Sequence, residues 1–351
     1  MSDEAVAQGH MVAPRANPNL IGHEASEATL RSLFNSGRLP HALLLSGSRG
    51  IGKATLAFRL ARFVLSGGEG AGADMFGAAA KSDLAISPDS GVFRRVAAGG
   101  HADLLTVERA FDPRRKRLRS EIVVDDVRQI GAFLHLTAAE GGWRIVIVDG
   151  ADAMNRSAGN ALLKILEEPP RRALLILVAH SPGKLLPTIR SRCRQMKLSA
   201  LPAESVRLLL ARFCPDLDGS AVSSIADLAE GSIGRALDLA GSGGVELYRT
   251  VIAMLSRRPG LDLIALHGFT DRIARPDAEE SYRAVEELLR QHLGRQAVIA
   301  ARAGRRGEAA RLARIRDDVG DEFARADGLN LDRKQTLLSA FFAIEHAASA
   351  S

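Results

Sequence analysis

Two cysteines, Cys193 and Cys214, are all that the 351 residues contain. A disulfide framework and a four-cysteine zinc site are therefore excluded, and none of the nine histidines falls in a ligand-like pair. Aromatic residues make up only 4% of the chain, with a single Trp, so any core has to be built from Leu, Ile, Val and Ala. Long hydrophobic runs are missing too. The longest, Ala173 to Ala179, is far shorter than the roughly 20 residues a membrane-spanning helix needs. The first 20 residues hold no apolar run that could act as a signal peptide, so the expected setting is reducing and cytoplasmic, without a membrane partner.

What is present suits a multidomain globular chain. Hydrophobic residues make up 46% and charged residues 25%, an ordinary balance, and the length fits two or three domains. The net charge of +6 permits contact with nucleic acid without requiring it. The excess is spread over many arginines rather than held in one tail.

Periodicity divides the chain further. Residues 1–18 read as a flexible leader ending in Asn17-Pro18. Helical spacing starts near Glu24, and Ala42 to Ser46 reads as a buried strand. Gly47 to Lys53 is a glycine-rich turn, and Ala54 to Leu65 an amphipathic helix. Residues 66–100 are rich in Gly, Ala and Ser and read as an insertion or partly disordered loop. A strand is expected at Asp103 to Glu108, followed by the basic run Arg114 to Arg119, read as a solvated hairpin tip with Ile122 to Val124 as its returning strand. Asp125 or Asp126 is the expected cap of a helix carrying Val127, Ile130 and Leu134. Trp143 to Val148 and Leu174 to Val178 read as strands covered on both faces, separated by a helix from Met154 to Glu168 that Pro169-Pro170 ends. Beyond Leu198 the pattern is helical only. Alternating strands and helices predict a parallel α/β core over 19–198, a small helical lid over 199–243 and an all-helical domain over 244–351, with Asp332 capping its last helix.

The segment Gly47-Ser48-Arg49-Gly50-Ile51-Gly52-Lys53 fits the phosphate-loop pattern. Its glycines let backbone N–H groups converge on phosphates, the next helix adds its positive N-terminus, and Lys53 reaches the terminal phosphates. The following position should carry the hydroxyl that ligates Mg²⁺, and it is Ala54. Thr55 comes one residue later, about 100° further round a helix. The run Ile145 to Asp149 delivers an aspartate where Mg²⁺ would be held. The next position, where such ATPases place a water-polarising glutamate, is Gly150, which has no acid–base chemistry. Taken alone, Asp149 could equally cap the next turn. ATP binding is therefore expected to be weak at most, and hydrolysis is not expected.

Three further strings carry a resemblance. They are Asn160-Ala-Leu-Leu-Lys-Ile-Leu-Glu-Glu-Pro-Pro170, Leu186-Pro-Thr-Ile-Arg-Ser-Arg-Cys193 and Gly231-Ser-Ile-Gly-Arg-Ala236. With the phosphate loop they resemble the AAA+ clamp-loader subunits of bacterial DNA polymerase III over residues 18–240. Asn330 to Gln335 is similar to the family's collar region. The resemblance implies an AAA+ phosphate-loop core, a helical lid and a helical collar. Motor subunits of the family keep an intact loop and an Asp-Glu pair. The delta-prime branch keeps Ser-Arg-Cys while its nucleotide site decays, which matches this chain. Many relatives carry a four-cysteine zinc module after the loop helix, and the cysteine-free 66–100 segment departs from that.

The resemblance implies that Arg192 is an arginine finger acting in trans on a neighbouring motor's ATP, that Arg235 stands near the lid sensor arginine but one place late, and that Gly47, Gly50, Gly52, Lys53, Thr55 and Asp149 form a vestigial nucleotide site. It implies as partners the tau/gamma motors and the clamp-opening delta subunit, with the sliding clamp and primed DNA reached through the assembly. The rival readings are an active ATPase motor using Thr55 and Asp149, and, on charge alone, a sequence-specific DNA-binding protein.

Overall fold

A computed structural model describes residues 12–68, 83–112, 117–140, 142–241, 244–256 and 260–349. The apolar runs form a five-stranded sheet. Its strands are β1 (Ala42–Ser46), β2 (Leu104–Val107), β5 (Arg144–Asp149), β6 (Ala173–Ala179) and β7 (Arg194–Lys197), in the spatial order β2-β5-β6-β1-β7. Every neighbouring pair is parallel. Between β2 and β5 lies a small antiparallel ladder of β3 (Phe111–Asp112) and β4 (Arg117–Leu118). With β1 between β6 and β7, the loop leaving β1 opens beside the carboxyl end of β6 and, one strand further on, that of β5. Ligands of open parallel sheets bind at such strand ends.

Alternation along the strands builds two cores. Leu43, Leu45, Ile145, Ile147, Leu174 and Ile176 face one side, where α1 (Glu24–Asn35), α2 (Lys53–Leu65) and α3 (Gly91–Ala97) supply the cover. Ala42, Leu44, Val146, Val148, Leu175 and Leu177 face the other, covered by α4 (Val124–His135), α5 (Arg156–Glu167) and α6 (Pro187–Arg192). Burial on both faces is why these strands read as continuous apolar runs rather than alternating ones.

Buried cations hold the N-terminal segment to α2. Arg59 pairs with Glu27 at 2.5 Å, with both side chains almost fully buried, and also donates to the Pro18 carbonyl. Arg62 donates to the Arg15 and Asn17 carbonyls and lies 4.5 Å from the centre of the Phe93 ring. Burial, with Arg59 nearby, lowers the Arg62 guanidinium to about 10.

Three expectations need correction. Residues 83–100 are not a structureless insertion: Leu84, Ile86, Phe93 and Val96 are core, and α3 is capped by Ser90 Oγ, which accepts from the Phe93 N–H. Seven residues make barely two turns, too few for a 3.6-residue period to show. Residues 69–82 lie outside the described residues. The strand returning from the basic run is Arg117–Leu118, whereas Ile122 bridges Met154 and Val124 already starts α4. The N-cap of α4 is Val123, and Asp126 sits at the third helical position, where its carboxylate accepts from the Val123 N–H at 2.9 Å. That reach back starts the helix earlier than an aspartate cap would. Arg114 to Lys116 lie outside the described residues.

The helices after β7 are α7 (Ala203–Phe213), α8 (Gly219–Leu228), α9 (Ile233–Gly241), α10 (Gly244–Ser256), α11 (Leu263–Ile273), α12 (Glu279–Arg302), α13 (Arg306–Leu329) and α14 (Arg333–Ser349). The chain divides into two compact units, one of residues 1–215 with 226–236, the other of 216–225 with 237–351. The second unit has its own core of Phe269, Tyr282, Val285, Leu289, Phe323, Leu337 and Phe341. Its two long helices, α12 and α13, are joined by a short turn in which Gly304 takes a positive φ. Asn330 ends α13 in the left-handed region, and Asp332 caps α14 by accepting from the Gln335 N–H at 3.0 Å.

Candidate functional site

The loop between β1 and α2 folds as its glycines require. Gly47, Gly50 and Gly52 all have positive φ, at 148°, 74° and 102°, a region that side chains other than glycine's seldom adopt. Two contacts brace it. Ser232 Oγ donates to the Arg49 carbonyl at 2.9 Å, and the Gly234 N–H donates to the Gly50 carbonyl at 3.0 Å. On the other side the His23 ring meets the Ile51 carbonyl at 2.7 Å. Because the carbonyl can only accept, Nε2 carries the proton.

Lys53 opens α2 and is 3% exposed. Its Nζ donates to the Ser48 carbonyl at 2.5 Å, so the side chain folds back over its own loop. Burial lowers the ammonium to about 8, against the opposing pull of Asp149 and Asp152. Ala54 is half-buried and Thr55 buried on the same helix. Asp149 ends β5. Its carboxyl is raised above the usual range by burial and by nearby Glu108, with Lys53 opposing. The next residue, Gly150, sits at φ 77° in open space.

Two further residues complete this edge of the sheet, and the motif reading missed both. His180 follows directly on β6, and burial followed by the charge of Lys53 lowers its imidazole to about 4. It is therefore neutral at pH 7. Asp152 accepts from the His180 N–H at 3.0 Å and the Ser181 N–H at 2.8 Å. Burial pushes its carboxyl up, and these backbone donors outweigh that and hold it below the usual range. A sequence signal for His180 existed: it is the first polar residue after a fully buried parallel strand, and hence stands at a ligand-facing end.

Arg192 lies elsewhere, at the end of α6. Each residue of its triplet has a distinct environment. Ser191 Oγ donates to the Thr188 carbonyl at 3.1 Å. Cys193 packs into the second core, and burial pushes its thiol up to about 11. Arg192 is left between them at the surface, 38% exposed, and pairs with Glu167 at 2.7 Å. The fold thus joins two of the motif strings, Glu167 from the first and Arg192 from the second. Arg235 donates its backbone N–H to Ser232 Oγ at 3.2 Å and lies 4.0 Å from the Glu230 carboxylate.

Among the described residues no helix is long and apolar enough to cross a membrane. A phosphate loop at the end of β1, an acidic residue at the end of β5 and the order β2-β5-β6-β1-β7 describe a phosphate-loop AAA+ core followed by a helical C-terminal region.

Comparison with known proteins gives the family. The profile of the family described as DNA polymerase III, delta subunit, matches residues 22–202. The chain is 38% identical over 213 residues to the DNA polymerase III subunit delta' of Pseudomonas aeruginosa, covering 60% of this chain and 59% of that one. It is 30% identical over 283 residues to the DNA polymerase III subunit gamma/tau of Mycobacterium bovis, covering 79% of this chain and 46% of that one. The chain thus spans about half the length of the gamma/tau relatives it matches. A solved gamma subunit-related protein of Thermotoga maritima is 19% identical with a TM-score of 0.42, covering 90% of this chain and 98% of that one. The profile covers more than half of the residues, and the chain belongs to the DNA polymerase III delta-subunit family, within the bacterial clamp-loader proteins.

Proposed function

We propose that the chain is a clamp-loader subunit of the delta-prime kind, one that does not hydrolyse ATP and instead supplies Arg192 to the ATP site of a neighbouring gamma/tau motor. The observation that carries this reading is the setting of Arg192. Burial of Cys193 anchors the end of α6, and Glu167 holds the guanidinium at the surface in a single exposed ion pair. Such a pair contributes about 0–1 kcal/mol, so a phosphate anion can displace the carboxylate. A guanidinium supplied in trans raises phosphoryl transfer by roughly 10³–10⁵.

The chain's own loop supports the same division of labour. Ala54 has no oxygen for Mg²⁺, and Gly150 has neither a carboxylate nor a backbone conformation that suits one. Gly47, Gly50, Gly52 and Lys53 keep the cradle, so weak nucleotide binding fits the reading, with Thr55 and Asp149 as remnants and Arg235 turned to Glu230. In this reading residues 199–243 act as the lid and 244–351 as the collar. The partners are the gamma/tau motors and the delta subunit, with the sliding clamp and primed DNA engaged by the assembly as a component of the polymerase holoenzyme.

The test is ATP-dependent clamp loading by a complex reconstituted with Arg192→Ala. Loading should fall by at least 10²-fold while the complex still assembles, and unchanged loading overturns the proposal. The competing motor reading is decided on the isolated chain: turnover that Lys53→Ala abolishes would establish it.

A further inference from the structure

Residues 290–316 hold eight arginines and a single acid, Glu308. That is a net +7 in a chain whose total is +6, so the remaining residues are slightly acidic. The segment covers the last turns of α12, the turn at Gly304 and the first turns of α13, and the two helices pack along each other as a helical hairpin. Its arginines fall into two kinds. Arg290 pairs with Glu286 at 3.4 Å, Arg305 with Glu308 at 2.8 Å and Arg316 with Asp317 at 2.7 Å. Arg295, Arg302, Arg306 and Arg314 are exposed, and none of these four has an ion pair among the described residues. Arg295 and Arg302 stand seven residues apart, on one face of α12 and about 10.5 Å apart along its axis. Arg305 and Arg306 stand at the start of α13, where the helix dipole disfavours cations and no side chain caps the end. The free chain thus gathers positive charge that an anion would relieve.

We propose that the tip of the α12–α13 hairpin is a binding surface for the sugar–phosphate backbone of duplex nucleic acid, held without regard to base sequence. A duplex carries one negative charge per about 1.7 Å of its axis, a density of one sign that suits this patch. An acidic protein surface would have to hold a similar run of like charges against their own repulsion, whereas a phosphodiester backbone carries them covalently. The patch has no Phe, Tyr or Trp, so it offers no ring on which unpaired bases would stack, and this favours a duplex over a single strand. A bilayer surface calls for a free apolar helix face. Here Val285, Leu289 and Leu293 of α12 and Val319 and Phe323 of α13 are committed to the core, which leaves Val298 and Ile299 as the exposed aliphatic side chains of the patch. The surface uses none of the residues assigned to the phosphate loop or to Arg192, so it stands or falls separately from the proposed function.

The test is fluorescence anisotropy of a labelled duplex of about 20 base pairs and arbitrary sequence with the full chain, across about 50–200 mM salt. Changing Arg295, Arg302, Arg306 and Arg314 together to Gln should flatten the slope of log K against log salt by up to about 3.6, or 0.9 per phosphate contact. At about 100 mM salt the same change should weaken binding roughly 10- to 10³-fold. Arg128, Arg249, Arg275 and Arg283 are exposed arginines with carboxylate partners outside the patch. Changing those four to Gln removes the same charge from the chain and should leave binding nearly unchanged. All eight positions are exposed, so urea unfolding followed by circular dichroism should be the same for both variants and the wild type. Several results would overturn the proposal: no binding by the wild-type chain, equal losses from the two sets of four, a single strand of the same length binding as tightly as the duplex, or poly-glutamate competing as well as unlabelled duplex.

Discussion

Gly50 and Gly234 meet backbone to backbone. The Gly234 N–H donates to the Gly50 carbonyl at 3.0 Å. A β-carbon added at Gly50 would lie 3.1 Å from the Gly234 Cα, and one at Gly234 would lie 2.9 Å from the Gly50 Cα. Neither position tolerates a side chain, so two glycines 184 residues apart in the chain let the start of α9 close on the phosphate loop. The contacts made from this end of α9 use carbonyls of the loop, those of Gly50 and Arg49.

Gly50→Ala should therefore destabilise the first unit by more than the strain of its positive φ alone. That strain is about 1–2 kcal/mol, and the new methyl would also collide with Ser232 Oγ. Gly37→Ala is the control, having a similar φ of 66° and nothing within 4 Å. Urea unfolding followed by the single Trp143 measures both, and equal losses would mean that the glycine–glycine contact adds nothing.

Glu167→Gln should leave the fold intact and either preserve or raise motor ATP hydrolysis in the reconstituted complex. The Glu167–Arg192 pair is surface exposed, and removing it leaves the guanidinium in place with only the hydrogen bond that Nη1 donates to the Thr188 carbonyl at 3.2 Å. A loss of stimulation comparable to that of Arg192→Ala would show that Glu167 orients the arginine rather than parking it.

Restoring the two absent catalytic groups, Ala54→Ser with Gly150→Glu, should not create an ATPase. Space is open around Gly150, but its φ of 77° would place a glutamate in a conformation that costs about 1–2 kcal/mol and points it differently from one in an extended backbone. Steady-state turnover should remain at the wild-type background, and turnover above it would show that the loop after β5 relaxes.

Lys53 should titrate near pH 8. The chain has only seven lysines, so ¹³C-dimethylation and NMR titration can resolve each one. Its folded value lies below its usual 10.5, so the folded state sheds the proton first and unfolding takes one up between about pH 8 and 10.5. The contribution of this group to stability therefore rises with pH across that window. A midpoint at the ordinary lysine value would mean that the side chain leaves its place over Ser48 and stands in water.

Glu27→Ala should destabilise the first unit by about 3–5 kcal/mol, because it strands the buried Arg59 charge. The double change with Arg59→Met should lose less than Glu27→Ala alone, since both charges go together. Additive losses by urea unfolding would show that the two side chains are not coupled.

Much of the fold was legible along the chain, and for identifiable reasons. Ala42–Ser46, Leu174–Val178 and the run to Val148 read as buried strands because both faces of the sheet are covered, so their local pattern and tertiary role coincide. The phosphate loop was legible because glycine positions record backbone φ directly. Helix α3 was not, because its seven residues bury only Phe93 and Val96. The start of α4 was misplaced because Asp126 acts from the third helical position rather than from the cap.

Sequence by itself determined which chemical groups exist: a loop with a lysine, no hydroxyl at 54, no carboxylate at 150, and an arginine between Ser191 and Cys193. These are properties of single positions and need no partner. Tertiary structure decided what each group faces. It folded Lys53 onto Ser48, brought Glu167 to Arg192 and closed Gly234 on Gly50, and it set His180 beside Asp152. It also left Phe111 and Leu118 uncovered on one face of a hairpin. Glu167 with Arg192, His180 with Asp152 and Gly234 with Gly50 join positions 25 to 184 residues apart, and only tertiary packing brings them into contact.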